Sequence, residues 1–301
     1  MDLISKFHQL RIFYQVASER SFSKAAFTLN ISQPSVSIQI RQLEKALGVQ
    51  LLERIGHKVD LNSTGQMLFE HVSQILDVVN KIDEDLALTK GMKKGRVAVG
   101  ASKIPSAWIL QPAIREFKKK HPDAEINFYV GRSEEVEEKV FRNEVDFAVI
   151  VGAPRSSKII TEFLLHEEMV LVLPPHHRLS KKKDISLKEI EHERFLITGS
   201  GKLKTFIDNI LTANEISLKE QIILGDRDAV KSAINAGFGV SIMAKSTVVR
   251  DSKSGFVLAK RIRSNRLKYP INIIVRKDKR LSNLANSFLQ FVRAQRASAL
   301  V

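Results

Sequence analysis

The sequence predicts an α/β chain: an N-terminal winged helix-turn-helix, a linker helix, and a C-terminal region of two α/β subdomains. Three observations predict it. Residues 3–47 hold three short apolar-periodic segments with a tight turn before the third. Residues 68–86 carry a sustained apolar heptad. Beyond residue 96, short β-like runs alternate with helical stretches. A length of 301 residues accommodates about two domains, each with a core of its own. With 44% hydrophobic and 27% charged residues, the composition excludes collagen-like, low-complexity and wholly disordered chains. The absence of cysteine excludes disulfides, thiolate metal sites and cysteine nucleophiles. The opening MDLISKFHQLRIF has no signal-peptide core, and apolar runs such as 147–151 are too short to span a bilayer. A cytoplasmic protein with no membrane partner is expected.

In the first segment Leu3, Phe7, Leu10, Phe13 and Ala17 recur at spacings of three and four, one face of a helix. Ser21-Phe22-Ser23 interrupts it, with Ser23 expected to cap a second helix to Leu29. Asn30-Ile31 makes the turn. Ser32 caps the third helix, Pro34 fits its first turn, and Gly48 stops it.

That third helix turns Val36, Ile40, Leu43 and Leu47 inward. Its other face carries Gln33, Pro34, Ser35, Ser37, Ile38, Arg41, Gln42 and Lys45. Small, amide and basic side chains there suit a helix lying in a major groove: Ser and Gln reach base edges, Arg reaches guanine or phosphate, and Ile38 can touch a thymine methyl. Taken alone, the same face is also an ordinary solvated one. Two strand-like pieces follow, Leu51–Arg54 and Lys58–Leu61, joined through Ile55-Gly56-His57 as a wing. Arg54 and Lys58 are candidate phosphate contacts, which set register without reading sequence. The candidate DNA contacts are thus Ser23, Ser32, Gln33, Pro34, Ser35, Ser37, Ile38, Arg41, Arg54 and Lys58 on double-stranded DNA.

The segments SFSKAA (21–26), SQPSVSIQIRQLE (32–44), LGV (47–49) and LLER (51–54) resemble the DNA-binding domain of LysR-type transcriptional regulators through about 65 residues. The resemblance implies that Phe22, Ala25 and Ala26 pack in the core of residues 1–65. Ile38 departs from the polar or basic residue common in that family.

Ser63-Thr64-Gly65-Gln66 fits a capping box. Behind it Leu68, Val72, Ile75, Val79, Ile82 and Leu86 stand at intervals of 4, 3, 4, 3 and 4 with charged flanks, the seam of a left-handed coiled coil over 66–90. A long helix packed on its own C-terminal region is the competing reading. The resembling family uses this segment to dimerise, which implies a homodimer or homotetramer. Residues 91–95 then form a hinge.

The net charge of +15 is unevenly placed: residues 1–65 hold 8 basic and 5 acidic side chains, residues 96–301 hold 36 and 23. DNA binding therefore rests on the helix pattern rather than on bulk charge. The C-terminal excess reads as a solvated surface or as a pocket for an anionic ligand.

Strands are expected near 97–100, 126–129, 147–151, 169–173, 194–198, 221–224 and 240–243, and helices near 105–119, 133–142, 203–213 and 226–235. Ligands in such sheets sit at strand carboxyl ends beside helix N-termini. Those points hold Ser102-Lys103, Arg132-Ser133, Gly152 and Gly199-Ser200-Gly201-Lys202. Each alone is an ordinary turn; their recurrence at one location is the signal. The segments GRVAVGAS (95–102), VDFAV (145–149) and AGFGVSI (236–242) continue the LysR-type resemblance. It implies a periplasmic-binding-protein-like effector domain over 96–301, with subdomain I near 96–165 and 268–301 and subdomain II near 166–267. It further implies an effector cleft around Ser102, Lys103, Arg132, Ser133, Gly152, Gly199 and Ser200. GASKIP and VGRS look closest to members governing sulfur, selenium or carbon assimilation, which points to an anionic small molecule. Asp226 stands where many relatives carry Ser, and its charge opposes an anion.

Gly237-Phe238-Gly239 lacks a dinucleotide fingerprint and precedes a strand, and no Walker A or H-E-x-x-H sequence occurs. No enzyme, cofactor or metal is expected. The reading is a LysR-type regulator whose partners are DNA, a small-molecule effector, itself, and RNA polymerase if it activates. An enzyme fused to a DNA-binding head and an effector-independent architectural protein are the rivals.

Overall fold

The structure, a computed structural model, describes residues 3–298 apart from 56–57, 90–94, 200 and 264–266. The head comprises a 3-10 turn at Ile4–Lys6, then α1 (Phe7–Glu19), α2 (Phe22–Leu29), α3 (Gln33–Leu47), β1 (Leu52–Ile55) and β2 (Lys58–Leu61). Phe13, Val16, Ala25, Val36, Leu43 and Leu51 are fully enclosed at its centre. Phe22 is half-buried against that core and Ala26 is within it. The N-cap of α2 is Ser21, not Ser23: Ser21 Oγ accepts from Lys24 N at 3.3 Å. Residue 21 has the extended backbone a cap needs, whereas Ser23 is already inside the helix and exposed. Asn30 ends α2 and Gly48 ends α3, both left-handed. Leu3 is exposed rather than on the buried face of α1. The wing strands pair antiparallel from Leu52↔Leu61 to Ile55↔Lys58. Their first residue lies one later than the pattern suggests, because Leu51 turns into the core with its N–H on Glu44 Oε1 at 2.8 Å. Gly56 and His57 lie outside the described residues.

Helix α4 spans Ser63–Thr89. Its cap is Asn62 rather than a box on Ser63: Asn62 Oδ1 accepts from Gly65 N and its carbonyl from Gln66 N, both at 2.8 Å. Gln66 turns instead to Glu70, at 3.2 Å. The heptad seam is also corrected at its start. Val72 is buried in the head core, with Leu68 packed against that core. The stripe α4 leaves exposed is Met67, Ile75, Val78, Ile82 and Leu86, with Val79 half-buried. The first two turns of α4 complete the head, so the outward stripe starts one position away from the predicted one. The predicted hinge at 91–95 falls almost wholly outside the described residues.

The C-terminal region opens with β3 (Arg96–Ser102), α5 (Lys103–Pro105) and a π-helical turn at Ser106–Leu110, then α6 (Gln111–Lys120) and β4 (Glu125–Gly131). It continues through α7 (Ser133–Phe141), β5 (Phe147–Val151), β6 (Ile159–Leu173), β7 (Asp184–Ile185), β8 (Arg194–Ile197) and α8 (Lys202–Ala213). Next come β9 (Glu220–Ile223), α9 (Arg227–Asn235), β10 (Ser241–Ala244), α10 (Val249–Lys253), β11 (Leu258–Ile262), β12 (Lys268–Arg276) and α11 (Asn283–Ser298). Strands β4, β3 and β5 run parallel, and β12 joins them antiparallel. The long β6 pairs with β12 along its first half and with β10 and β11 along its second. The parallel pair β8 and β9 is tied to β10 by a bridge between Phe195 and Val240. Two sheets thus share β6 and meet where β12 begins. Helix α11 returns to the first sheet, with Phe288 4.7 Å from Phe117 and 5.8 Å from Phe147.

At the crossing between the two sheets stands Glu167, nearly inaccessible on β6. Its carboxylate accepts from Ser246 N at 3.0 Å and Ser246 Oγ at 2.8 Å. Burial outweighs those bonds and raises its pKa above the ordinary 4.5. The folded state therefore binds this proton more tightly than the unfolded chain, and its contribution to stability is lost as pH rises through the raised value. Glu167→Gln, which keeps an acceptor for Ser246, should melt above the wild type at pH 7.5, the gap closing toward pH 4. Equal melting temperatures across that range would contradict the charge as the cost.

Candidate DNA-binding face and effector cleft

The outward face of α3 is assembled by its cap. Ser32 Oγ accepts from Ser35 N at 3.2 Å and lies 2.7 Å from Ser35 Oγ. Gln33 Nε2 donates to Ser37 Oγ at 3.1 Å, and Arg41 Nε to the Ser37 carbonyl at 3.4 Å. Gln33, Pro34, Ile38 and Arg41 are exposed, while Ser35 and Ser37 are half-buried beneath them. Apart from Ser35 and Ser37, which are held within the face by these bonds, the predicted α3 contacts form one open surface in which Ser32, Gln33 and Arg41 surround the apolar Pro34 and Ile38. A protein side chain that bonds only locally is available to a base edge at little reorganisation cost. Ser23 lies exposed in the first turn of α2. Arg54 and Lys58 occupy β1 and β2, but their side chains lie outside the described residues.

On the head's flank, a groove of about 550 Å³ runs beside α4, walled by Leu3, Phe7, Leu47, Val49, Met67 and Ile75. It is continuous with the exposed stripe of α4.

At the carboxyl ends of the first sheet, Ser102 and Ser133 are both buried. Ser102 Oγ accepts from Val151 N at 3.1 Å, and Ser133 Oγ donates to the Val151 carbonyl at 3.2 Å. The two hydroxyls shape the end of β5. Gly152 follows in a left-handed turn at φ 76°, its carbonyl accepting from Asn272 Nδ2 at 2.9 Å. A side chain there would stand 3.0 Å from the Tyr269 hydroxyl and 3.5 Å from Lys202 Cδ. Lys202 reaches across from α8, donating to the Ala153 carbonyl at 2.7 Å and lying 3.5 Å from Glu137. Tyr269 stacks on Phe206 of α8 with ring centres 4.3 Å apart. Burial, with Glu134 nearby, pushes its phenol up to about 12, so it stays a proton donor. A Cβ on Gly199, whose φ is 95°, would stand 3.7 Å from Gly225 Cα. Lys103 is exposed, directly after the end of β3. Arg132 points outward, its Nε on Glu135 at 2.7 Å. Ser200 lies outside the described residues.

Of the three long helices that begin at this cleft, α9 has an acidic cap and α7 has an acid in its first turn. The N-cap of α7 is Arg132, whose N–H donates to Glu135 at 2.9 Å. Asp226 closes α9 by accepting from Asp228 N at 2.8 Å and Ala229 N at 3.1 Å, and those N–H bonds hold its carboxyl below the ordinary range. Helix α8 begins at Lys202, after an N-cap glycine, Gly201, that has no side chain to offer it; the preceding Ser200 is not among the described residues. The positive helix end and the ammonium thus coincide there. Sequence pattern missed Tyr269, Phe206 and Glu137. Lys202 stood in the 199–202 segment that the strand-end rule singles out but was not among the residues the resemblance implies for the cleft.

A family model described as bacterial regulatory helix-turn-helix protein, lysR family, matches residues 7–66, and one described as LysR substrate binding domain matches residues 90–297. The chain belongs to the LysR family. Among its LysR-type relatives, the HTH-type transcriptional activator CmpR of Synechocystis sp. is 27% identical over 95% of this chain and 94% of its own. Full-length OxyR from Pseudomonas aeruginosa superposes with a TM-score of 0.74 at 19% identity, covering 96% of this chain and 94% of that one. The regulatory domain of Synechocystis CcmR, solved in complex with 2-PG, superposes with a TM-score of 0.61 at 21% identity, covering 67% of this chain and 97% of that one. This LysR-type protein is a DNA-binding transcriptional regulator, with an N-terminal helix-turn-helix and a C-terminal effector-type domain. Among the described residues no helix is long and apolar enough to cross a membrane.

Proposed function

We propose that this LysR-type regulator acts in the cytoplasm as a homo-oligomer, carries out no catalysis, and responds to an anionic small molecule bound between its effector subdomains. Its units on this reading are the head (1–65), the linker (66–90), the hinge (91–95) and the effector domain (96–301). If it activates transcription, RNA polymerase is its further partner. The observation that supports the effector class is the start of α8, where the N-cap Gly201 offers no side chain and Lys202 is the first helical residue, in a cleft where Asp226 caps α9 and Glu135 stands in the first turn of α7. The CcmR regulatory domain, of like fold, is described with a small molecule bound. The site comprises Ser102, Lys103, Arg132, Ser133, Gly152, Gly199 and Ser200, to which Lys202 is added.

A thermal-shift screen of small anions tests it. A ligand present at 100 times its Kd stabilises the native state by about 2.7 kcal/mol. The hit should lose that shift in Lys202→Ala and should alter an operator footprint. A screen that yields only cationic or neutral hits would reverse the effector class, and turnover of a hit would reverse the non-catalytic reading.

On the DNA side, Arg41→Ala or Gln33→Ala should each lower the preference for the specific site over random DNA by ~1–3 kcal/mol, the discrimination that one bidentate side chain–base pairing supplies. Lys58→Ala should weaken both alike and reduce the salt slope by about 1. If specific and random affinities fall together in Arg41→Ala, that side chain does not read bases.

A further inference from the structure

The head meets the first effector subdomain of its own chain through a polar joint. Lys279 Nζ lies between Asp77 of α4, at 3.0 Å, and Asp146, at 3.2 Å. Asp77 also accepts from Asn143 Nδ2 at 2.7 Å. Arg276 donates to Ser73 Oγ at 3.0 Å, linking β12 to α4. The side chains of Arg276, Lys279 and Asp77 are only 5%, 8% and 11% exposed, which marks this as an enclosed contact rather than a surface ion pair. At the rim, Tyr14 of α1 donates to the Arg142 carbonyl at 3.2 Å, and the Arg142 guanidinium donates to the carbonyls of Ala17 and Ser18. An apolar contact of this size would tolerate sliding. Charged groups paired across an enclosed contact favour one geometry, and removing one partner leaves the others enclosed with fewer counter-ions.

The joint is anchored to the strands that end at the cleft. Asp146 binds Ala98 of β3 twice, its N–H on the Ala98 carbonyl at 2.7 Å and its carboxylate on Ala98 N at 2.8 Å. It directly precedes β5, whose far end carries Gly152. Arg276 is the last residue of β12, and Tyr269, which faces the cleft, is its second.

We infer that Asp77, Asp146, Arg276 and Lys279 are positioning residues that lock the head and linker, across the proposed hinge at 91–95, onto their own first effector subdomain. While this joint is closed the head moves with that subdomain, and the hinge can act only when the joint opens. What drives that opening rests on the effector reading; the joint itself does not.

Amide hydrogen exchange on the full-length protein, without DNA or ligand, tests it. In Lys279→Met, Asp77 and Asp146 face each other without their shared cation. Peptides covering 12–20, 70–79 and 140–147 should then exchange about tenfold faster or more, while the α3 peptide 36–43 keeps its wild-type protection. Lys279→Arg should restore the wild-type pattern. Unchanged exchange at all three peptides overturns the inference, and so does an equal rise at 36–43, which would mean that the head has unfolded rather than parted. Should Lys279→Met fail to fold, Arg142→Ala at the rim must raise exchange at 12–20 and 70–79 for the inference to stand. A failure of the anion screen leaves all of these outcomes untouched.

Discussion

Ile75→Asp is expected to convert the oligomer to monomers and to lower operator affinity by about 10²–10⁴-fold, the usual gain from joining two binding modules. Ile75, Val78 and Ile82 are 44%, 54% and 52% exposed on one side of α4, and the groove at Leu3, Phe7 and Met67 continues that surface. Patches of this kind rarely stay open in a monomer. The covering surface on the proposed reading is the same stripe of a second protomer, because a two-fold pair of heads matches a two-fold operator. A carboxylate placed at Ile75 enters that contact from both protomers at once. Each uncompensated buried charge costs roughly 3–5 kcal/mol. Because Ile75 lies at the rim of the head core rather than within it, head folding should survive, and the melting of an isolated protomer should barely change. Sedimentation velocity decides the matter: a variant that sediments as the wild type removes this stripe from the interface.

Local rules made the head legible. The buried positions of α3, its cap Ser32 and its stop Gly48 follow from periodicity and capping chemistry alone. Where sequence reading slipped, two candidates of equal chemistry stood within two residues. Ser21 and Ser23 can both cap a helix, as can Asn62 and Ser63, and only the backbone conformation chooses between them. The heptad of α4 slipped for a tertiary reason, since Leu68 and Val72 satisfy the seam pattern while packing into the head. In the effector domain the parallel strands β3 and β5 announced themselves as continuous apolar runs. The first half of β6 did not, because its Thr161, Glu162 and Glu167 break the apolar pattern, and β11 carries Lys260 and Arg261 at its centre. The geometry of the candidate cleft was half legible. Strand-end rules point to Ser102, Ser133 and Gly152, which lie together around the end of β5, but Lys202 against Ala153 and Tyr269 against Phe206 are contacts across two subdomains, and no local rule encodes them. The joint around Lys279 was invisible for the same reason: its partners are 202 and 133 positions away in the chain.

Gly65→Ala should disable the head outright. A methyl group on Gly65 would stand 2.0 Å from the Leu51 carbonyl oxygen and 2.9 Å from its carbon, with Leu61 at 3.0 Å. That carbonyl has nowhere to go. It accepts from Asn62 N at 3.2 Å, while the N–H of Leu51 is held on Glu44 and its side chain lies at the centre of the head core. Alanine favours a helix over glycine by about 1 kcal/mol, which offsets only part of the clash. Overpacking against a fixed backbone costs about 1–3 kcal/mol and occasionally more, and an approach this short belongs at or beyond ~3 kcal/mol. Displacing the first turn of α4 would also move Val72 and Phe69 out of the head core, so DNA binding should fall with stability. Gly48→Ala provides the contrast. Gly48 has φ 71° with nothing within 4 Å of its absent Cβ, so the substitution should cost roughly 1–2 kcal/mol of backbone strain and leave α3 in place. Denaturant titration of both variants beside the wild type separates the two mechanisms, and a Gly65→Ala protein no less stable than Gly48→Ala would show that the α4 start is not wedged against Leu51.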